Sequence, residues 1–271
     1  MEQGMRKIFA KAAGCGMFAT TLMAAGSAFA LGPTTDLITP PDSQREATFA
    51  SAGVKPTATQ ASPAVAFGSP IGFGLNNGQL AVGIGGQTTD APGANHFDGS
   101  MGVAVGFGNS ADSLGFEVTA NIISLRNNLG EDGSFNAKAH RMVNATTSVA
   151  VGAESFGGWG AARKGRISSY GAVTTVVNPG MPVVLNLGAG TNRFASNTDT
   201  SRTGVFGSIA VIPTDRLSFV VDYTGIDTNA AVSVVPFASL PITLTLGYVN
   251  LQEQEGLSRE FAGGIGYLYR F

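Results

Sequence analysis

The stretch FAGGIGYLYRF, residues 261–271, decides the fold. Phe261, Ile265, Tyr267, Tyr269 and Phe271 share one parity, with Gly263 among them. Glu260, Ala262, Gly264, Gly266, Leu268 and Arg270 take the other. A period of two belongs to a β-strand, which sends the two sets to opposite faces. One face is apolar and ends in an aromatic cluster; the other is small or charged. A C-terminus frays unless something ties it down, so the solvent that each face meets becomes the question.

The opposite end reads as a leader. Arg6, Lys7 and Lys11 precede an apolar run over 12–25, and Ala28-Phe29-Ala30 has the small-x-small form of a secretory cleavage site. The run is too short and too rich in small residues to span a bilayer well. Residues 1–30 are therefore expected to be a signal peptide. The single cysteine, Cys15, lies inside it, so no disulfide framework holds the mature chain.

Formal net charge is −2, which offers no basic stripe for nucleic acid. Only 13% of residues are charged and 38 are glycine, and mean hydropathy is +0.18. That balance suits a protein whose outer surface meets lipid. No uncharged stretch reads as a spanning helix. Residues 56–89 are broken by Pro63 and Pro70, 167–192 by Pro179 and Pro182, and 228–252 by Pro236 and Pro241. Each such proline costs about 3 kcal/mol in a helix. The other way across is a closed barrel, in which every backbone group is paired.

Twelve alternating segments occupy 79–86, 99–108, 113–124, 133–143, 147–155, 168–177, 183–193, 204–212, 217–225, 228–235, 242–250 and 259–271. Most approach the roughly 9–11 residues that a tilted strand needs to cross hydrocarbon. Their connections alternate between a short set (109–112, 144–146, 178–182, 213–216, 236–241) and a mostly longer one. Short periplasmic turns and longer outer loops are the barrel pattern, and both termini then lie on the periplasmic side. Leu114, Phe116, Val118, Ala120 and Ile122 alternate with Gly115, Glu117, Thr119 and Asn121; Leu217, Phe219, Val221 and Tyr223 alternate with Ser218, Val220, Asp222 and Thr224. A soluble sandwich also alternates, but it accounts neither for the sparse charge nor for the closing aromatic run.

Residues 261–271 resemble the C-terminal signature of bacterial outer-membrane β-barrel proteins, with Tyr267, Tyr269 and Phe271 at the last three alternate positions. The resemblance implies that this strand is read by the barrel-assembly machinery, in the bacterial outer membrane. It is porin-like in general style and points to no particular family. The expected fold is all-β: a closed antiparallel up-and-down transmembrane barrel of about twelve strands over 79–271. Residues 31–78 are expected to be a flexible periplasmic linker or lead-in, with a lumenal plug as the alternative for 31–62.

The expected function is a narrow porin-like channel for small polar solutes or ions, with a water-filled passage lined by Glu117, Lys138, His140, Glu154, Asp222 and Arg270. The alternative is a non-conducting barrel with a structural or adhesive role. Charges lining a lumen either select solutes or pair across it; Glu117 and Lys138, on adjacent strands, are the candidate pair. Arg163, Lys164 and Arg166, in the loop GWGAARKGR, would meet lipopolysaccharide phosphates or simply be solvated.

An enzyme is not expected. His96 lies in a loop, and His140 has lumen parity, away from the lipid face where a lipase-like triad would need its base. No catalytic, cofactor or metal site is read: the mature chain has no cysteine, and no histidine pair stands at ligand spacing. Gly72-Phe73-Gly74 and Gly83-Ile84-Gly85-Gly86 lead into no Gly-Lys-Ser/Thr, and glycine there is expected to ease barrel curvature.

Overall fold

A computed structural model describes residues 61–88, 97–123, 125, 129–195, 203–253 and 258–271. The expected signal peptide, most of the linker, Cys15 and His96 lie outside these. Among the described residues twelve strands form: β1 Gln79–Thr88, β2 Phe97–Gly108, β3 Gly115–Ile123, β4 Asp132–Met142, β5 Thr147–Trp159, β6 Ser168–Val177, β7 Val183–Thr191, β8 Thr203–Thr214, β9 Leu217–Tyr223, β10 Thr228–Val234, β11 Ile242–Val249 and β12 Glu260–Arg270. Each pairs antiparallel with its chain neighbour, and β12 returns to β1, so the sheet closes with no free edge.

The β1–β12 seam shows how the C-terminus is held. Leu80 faces Tyr269, Val82 faces Tyr267 and Ile84 faces Ile265. Beyond the ladder, the Phe271 N–H donates to the Gly78 carbonyl at 2.9 Å. Gly78 sits at φ 78°, a conformation open to glycine, and a Cβ there would meet the Phe271 oxygen at 3.0 Å. The last residue is pinned beside the first strand.

Burial alternates as the sequence predicts. In β3, Phe116 and Val118 point outward while Glu117, Thr119 and Asn121 are buried within the barrel. The outside is an apolar belt, carried by such residues as Val151, Leu187, Ile209, Val221 and Leu246. Aromatic rings gather at both rims, with Tyr269 stacked on Phe271 at the end with the short turns and Tyr248 against Phe261 at the opposite, loop end. That is the girdled surface of a membrane-spanning barrel. β5 runs further than 147–155 because Ser155, at φ 63°, forms a bulge. The extra residue resets the parity and brings Phe156 beside Phe135, which Trp159 also meets.

Residues 61–78, expected as part of a flexible periplasmic linker or lead-in, have no regular secondary structure, and 61–73 lie buried inside the barrel. Val65, Phe67, Ile71 and Phe73 pack on inward-facing Val176, Val184, Ala210, Val220 and Ala231. The water-filled passage expected along the axis is occupied by this inner segment. Alternation predicts the wall; the alternation of Val65, Phe67, Ile71 and Phe73 with Ala66, Gly68, Pro70 and Gly72 does not say that this segment fills it.

Candidate functional site

The lumen places the inner segment against one strand after another. Near its start, Thr243 of β11 donates to the Ser62 carbonyl at 2.9 Å. Ser233 of β10 accepts the Ala64 N–H, and Ser218 of β9 donates to the Ala64 carbonyl. Ser208 of β8 donates to Val65, Asn186 of β7 to Pro70 and Ser148 of β5 to Gly72; Thr174 of β6 accepts the Gly72 N–H. At the far end the Asn77 N–H donates to Gly108, at the close of β2. The contacts progress from β11 to β2 around the inner wall, with Asp222 of β9 reaching forward to Phe67 and Ser69. Both ends of the segment meet strand ends on the short-turn side, so it forms an arch inserted from that side and does not thread the barrel.

The predicted lumen residues divide around this arch. Asp222, wholly buried, accepts the N–H groups of Phe67 and Ser69 at 3.2 and 3.1 Å and the Ser69 hydroxyl at 2.6 Å. Glu117 and Lys138 face each other in the β3–β4 register, with Nζ 3.4 Å from Oε2. Both also hold the segment: Glu117 accepts the Leu75 N–H at 3.0 Å, and Lys138 donates to the Phe73 carbonyl at 2.8 Å. The His140 Nε2 lies 2.9 Å from the Leu75 carbonyl. Arg270 is half-buried at the short-turn end of the β1–β12 seam.

Glu154 leads to a residue that sequence reading missed. Arg193 follows β7 in a 3-10 turn, Asn192–Phe194, that folds inward from the loop end. Its guanidinium makes a two-point pair with the Glu154 carboxylate, one contact being Nη2 to Oε1 at 3.0 Å. It also donates to the Gly68 carbonyl at 3.3 Å, at the top of the arch, and lies 4.1 Å from the Phe194 ring. Phe194, fully buried, packs on Phe206 and Tyr170 with centroids 4.6 and 5.9 Å away. Arg193 thus joins wall, arch and aromatic cap. Its place at the end of a predicted strand hid it, since parity does not extend into a turn. Arg163, Lys164 and Arg166 are exposed at the loop end.

Three glycines set how closely the arch approaches. A Cβ at Gly68 would meet Thr224, Asn229 and Asp222 within 3.0 Å. At Gly74 it would lie 2.7 Å from both His140 and Lys138, and at Gly72 it would overlap the Ser148 carbonyl. Gly72 and Gly74 therefore serve close approach to the wall, in place of the curvature role expected for them.

Among the described residues no group of three His, Cys, Asp or Glu side chains could hold a metal ion. A closed barrel, apolar outside and polar within, is the architecture of outer-membrane β-barrels. No family model matches the chain, and no curated relative does. Among solved structures it is similar to an outer-membrane channel from Pseudomonas putida F1, at 14% identity and a TM-score of 0.45, covering 80% of this chain and 100% of that one. It is also similar to the KdgM porin, at 12% identity and a TM-score of 0.43, covering 70% and 99%. At such scores the likenesses carry no functional detail, which rests on the residues of this chain alone.

Proposed function

We propose that this chain is a narrow, porin-like channel of the bacterial outer membrane, for small polar solutes or ions, with its lumen closed at rest by residues 61–78. The carrying observation is that the closure is a separate arch, tied to a polar wall by hydrogen bonds and entering from one side only. Each such bond contributes about 1 kcal/mol net, and water can replace its partner once the arch withdraws. The short-turn end is the periplasmic one on this reading, so the arch withdraws toward the periplasm. Tyr267, Tyr269 and Phe271 are the signal for the barrel-assembly machinery. The exposed Arg163, Lys164 and Arg166 meet lipopolysaccharide phosphates at the outer rim.

The filled lumen favours a second reading, a non-conducting barrel with a structural or adhesive role. Single-channel recording of the refolded protein in a planar bilayer separates the two. Brief discrete openings that lengthen when Asp222 is replaced by alanine are expected for a channel. Silence from both proteins, each shown to be folded, would hand the lead to the structural reading.

A further inference from the structure

The wall holds the inner segment almost entirely by its main chain. Carboxylates and hydroxyls take its N–H groups: Asp222 at Phe67 and Ser69, Glu117 at Leu75, Thr174 at Gly72. Cationic, amide and hydroxyl donors reach its carbonyls, including Lys138 at Phe73, Asn186 at Pro70 and Arg193 at Gly68. This alternation of acceptors and donors is the complement of an amide chain. Of the side chains within 61–75, the Ser69 hydroxyl is the one whose hydrogen bonds enter this recognition, through Asp222 and Asn186. The remaining selection is by size, through Gly68, Gly72 and Gly74, and by burial of uncharged apolar groups on the patch around Val184 and Val220. No charged side chain occurs anywhere from 61 to 78.

We infer that the inner wall from β2 to β11 is a binding groove for an arched, uncharged peptide, which residues 62–77 occupy in the resting protein. A peptide of small and apolar residues takes the same place when they leave, and such peptides are a solute class that the barrel admits. The inference rests on the channel reading for passage, but not for binding. A lumen that merely excluded solvent would need shape alone; here buried charges are aimed at individual backbone groups, which shape does not require and which cost free energy when unpaired.

The test uses the full chain carrying Gly72→Ala and Gly74→Ala, which crowd the arch and leave every wall residue unchanged. The probe is a fluorescein-labelled peptide, ASPAVAFGSPIGFGLNN, the sequence of residues 61–77. Fluorescence anisotropy in detergent should show saturable binding to the variant, about tenfold or more tighter than to the unaltered protein, whose own segment competes. Putting the same two alanines into the peptide should weaken it about tenfold, and an uncharged oligosaccharide of similar size should not displace it. Absent binding, indifference to the alanines, or equal displacement by the oligosaccharide would each overturn the groove. If the double variant fails to give a heat-resistant barrel band, Ser69→Ala replaces it, with a gain of about threefold expected and no gain counting against the groove. Bilayer recording of the same variant keeps the two ideas apart. Peptide binding without conductance removes the channel and leaves the groove, whereas conductance that the peptide never blocks removes the groove and leaves the channel.

Discussion

β12 and the inner segment are both glycine-rich, mostly apolar stretches, yet one spans the membrane and the other is enclosed by the barrel. The first, EFAGGIGYLYR, keeps one parity for large apolar groups and has no proline. Its backbone groups pair with β1 and β11, and its rings face lipid. The second, AVAFGSPIGFG over 64–74, also keeps its large apolar groups on one parity (Val65, Phe67, Ile71 and Phe73), but it carries Pro70. Proline cannot donate to a ladder, and the small face of Ala64, Ala66, Gly68, Pro70, Gly72 and Gly74 has no polar side chain to offer a lumen. Its backbone is satisfied by side chains of the wall instead. Comparable hydrophobicity thus leads to opposite places, because the partner of the backbone differs.

The sharpest way to break that comparison is at the terminus. Deleting Phe271 is expected to abolish the heat-resistant barrel band in outer-membrane fractions, since it removes both the terminal ring and the N–H tied to Gly78. Undiminished insertion would remove the assembly role from residues 267–271. Next in size is Glu154→Ala, which strands the buried Arg193 guanidinium. Loss of a partner in a buried pair costs about 3–5 kcal/mol, read as a lower denaturant midpoint for the refolded protein.

Val221 and Asp222 sharpen the comparison within one strand, being neighbours on opposite faces of β9. Val221→Lys puts a charge on the lipid face and is expected to destabilise the inserted barrel by about 2–4 kcal/mol, with channel closure as in the unaltered protein. Asp222→Ala should do the reverse. It removes three hydrogen bonds to the arch and is expected to raise open probability about tenfold, equivalent to about 1.4 kcal/mol, with a smaller change in the unfolding midpoint. Similar effects from both would mean that wall and arch are one cooperative unit. The smallest effect belongs to the rim. Replacing Arg163, Lys164 and Arg166 by alanine should leave stability within about 0.5 kcal/mol while weakening association with lipopolysaccharide-containing vesicles.

The twelve strands were legible because a lipid-facing wall imposes period two on each of them. Asp222 and Glu117 were placed inward by that same parity. The pairing of Glu117 with Lys138 was legible from their adjacent strands, but the arch groups that Asp222 and Glu117 accept were not, since a side chain's face says nothing of what occupies the space before it. Arg193 was invisible for a related reason: it leaves the strand in a turn, where alternation stops, and enters the lumen from the rim. Ser148, Thr174 and Ser218 have ordinary inward parity, and only their contacts with the arch set them apart from other small polar residues of the wall.

By itself the sequence determined a membrane-spanning barrel, its strand order and the two faces of its wall, because hydrogen bonding in lipid permits few alternatives and each strand records the choice locally. The tertiary structure decided what fills the barrel. The alternation of large and small residues over 64–75 does not say where that segment goes, and its place depends on the joint fit of glycine gaps, apolar contacts and backbone bonds to ten strands distant in the chain. Such complementarity exists only once the wall has closed.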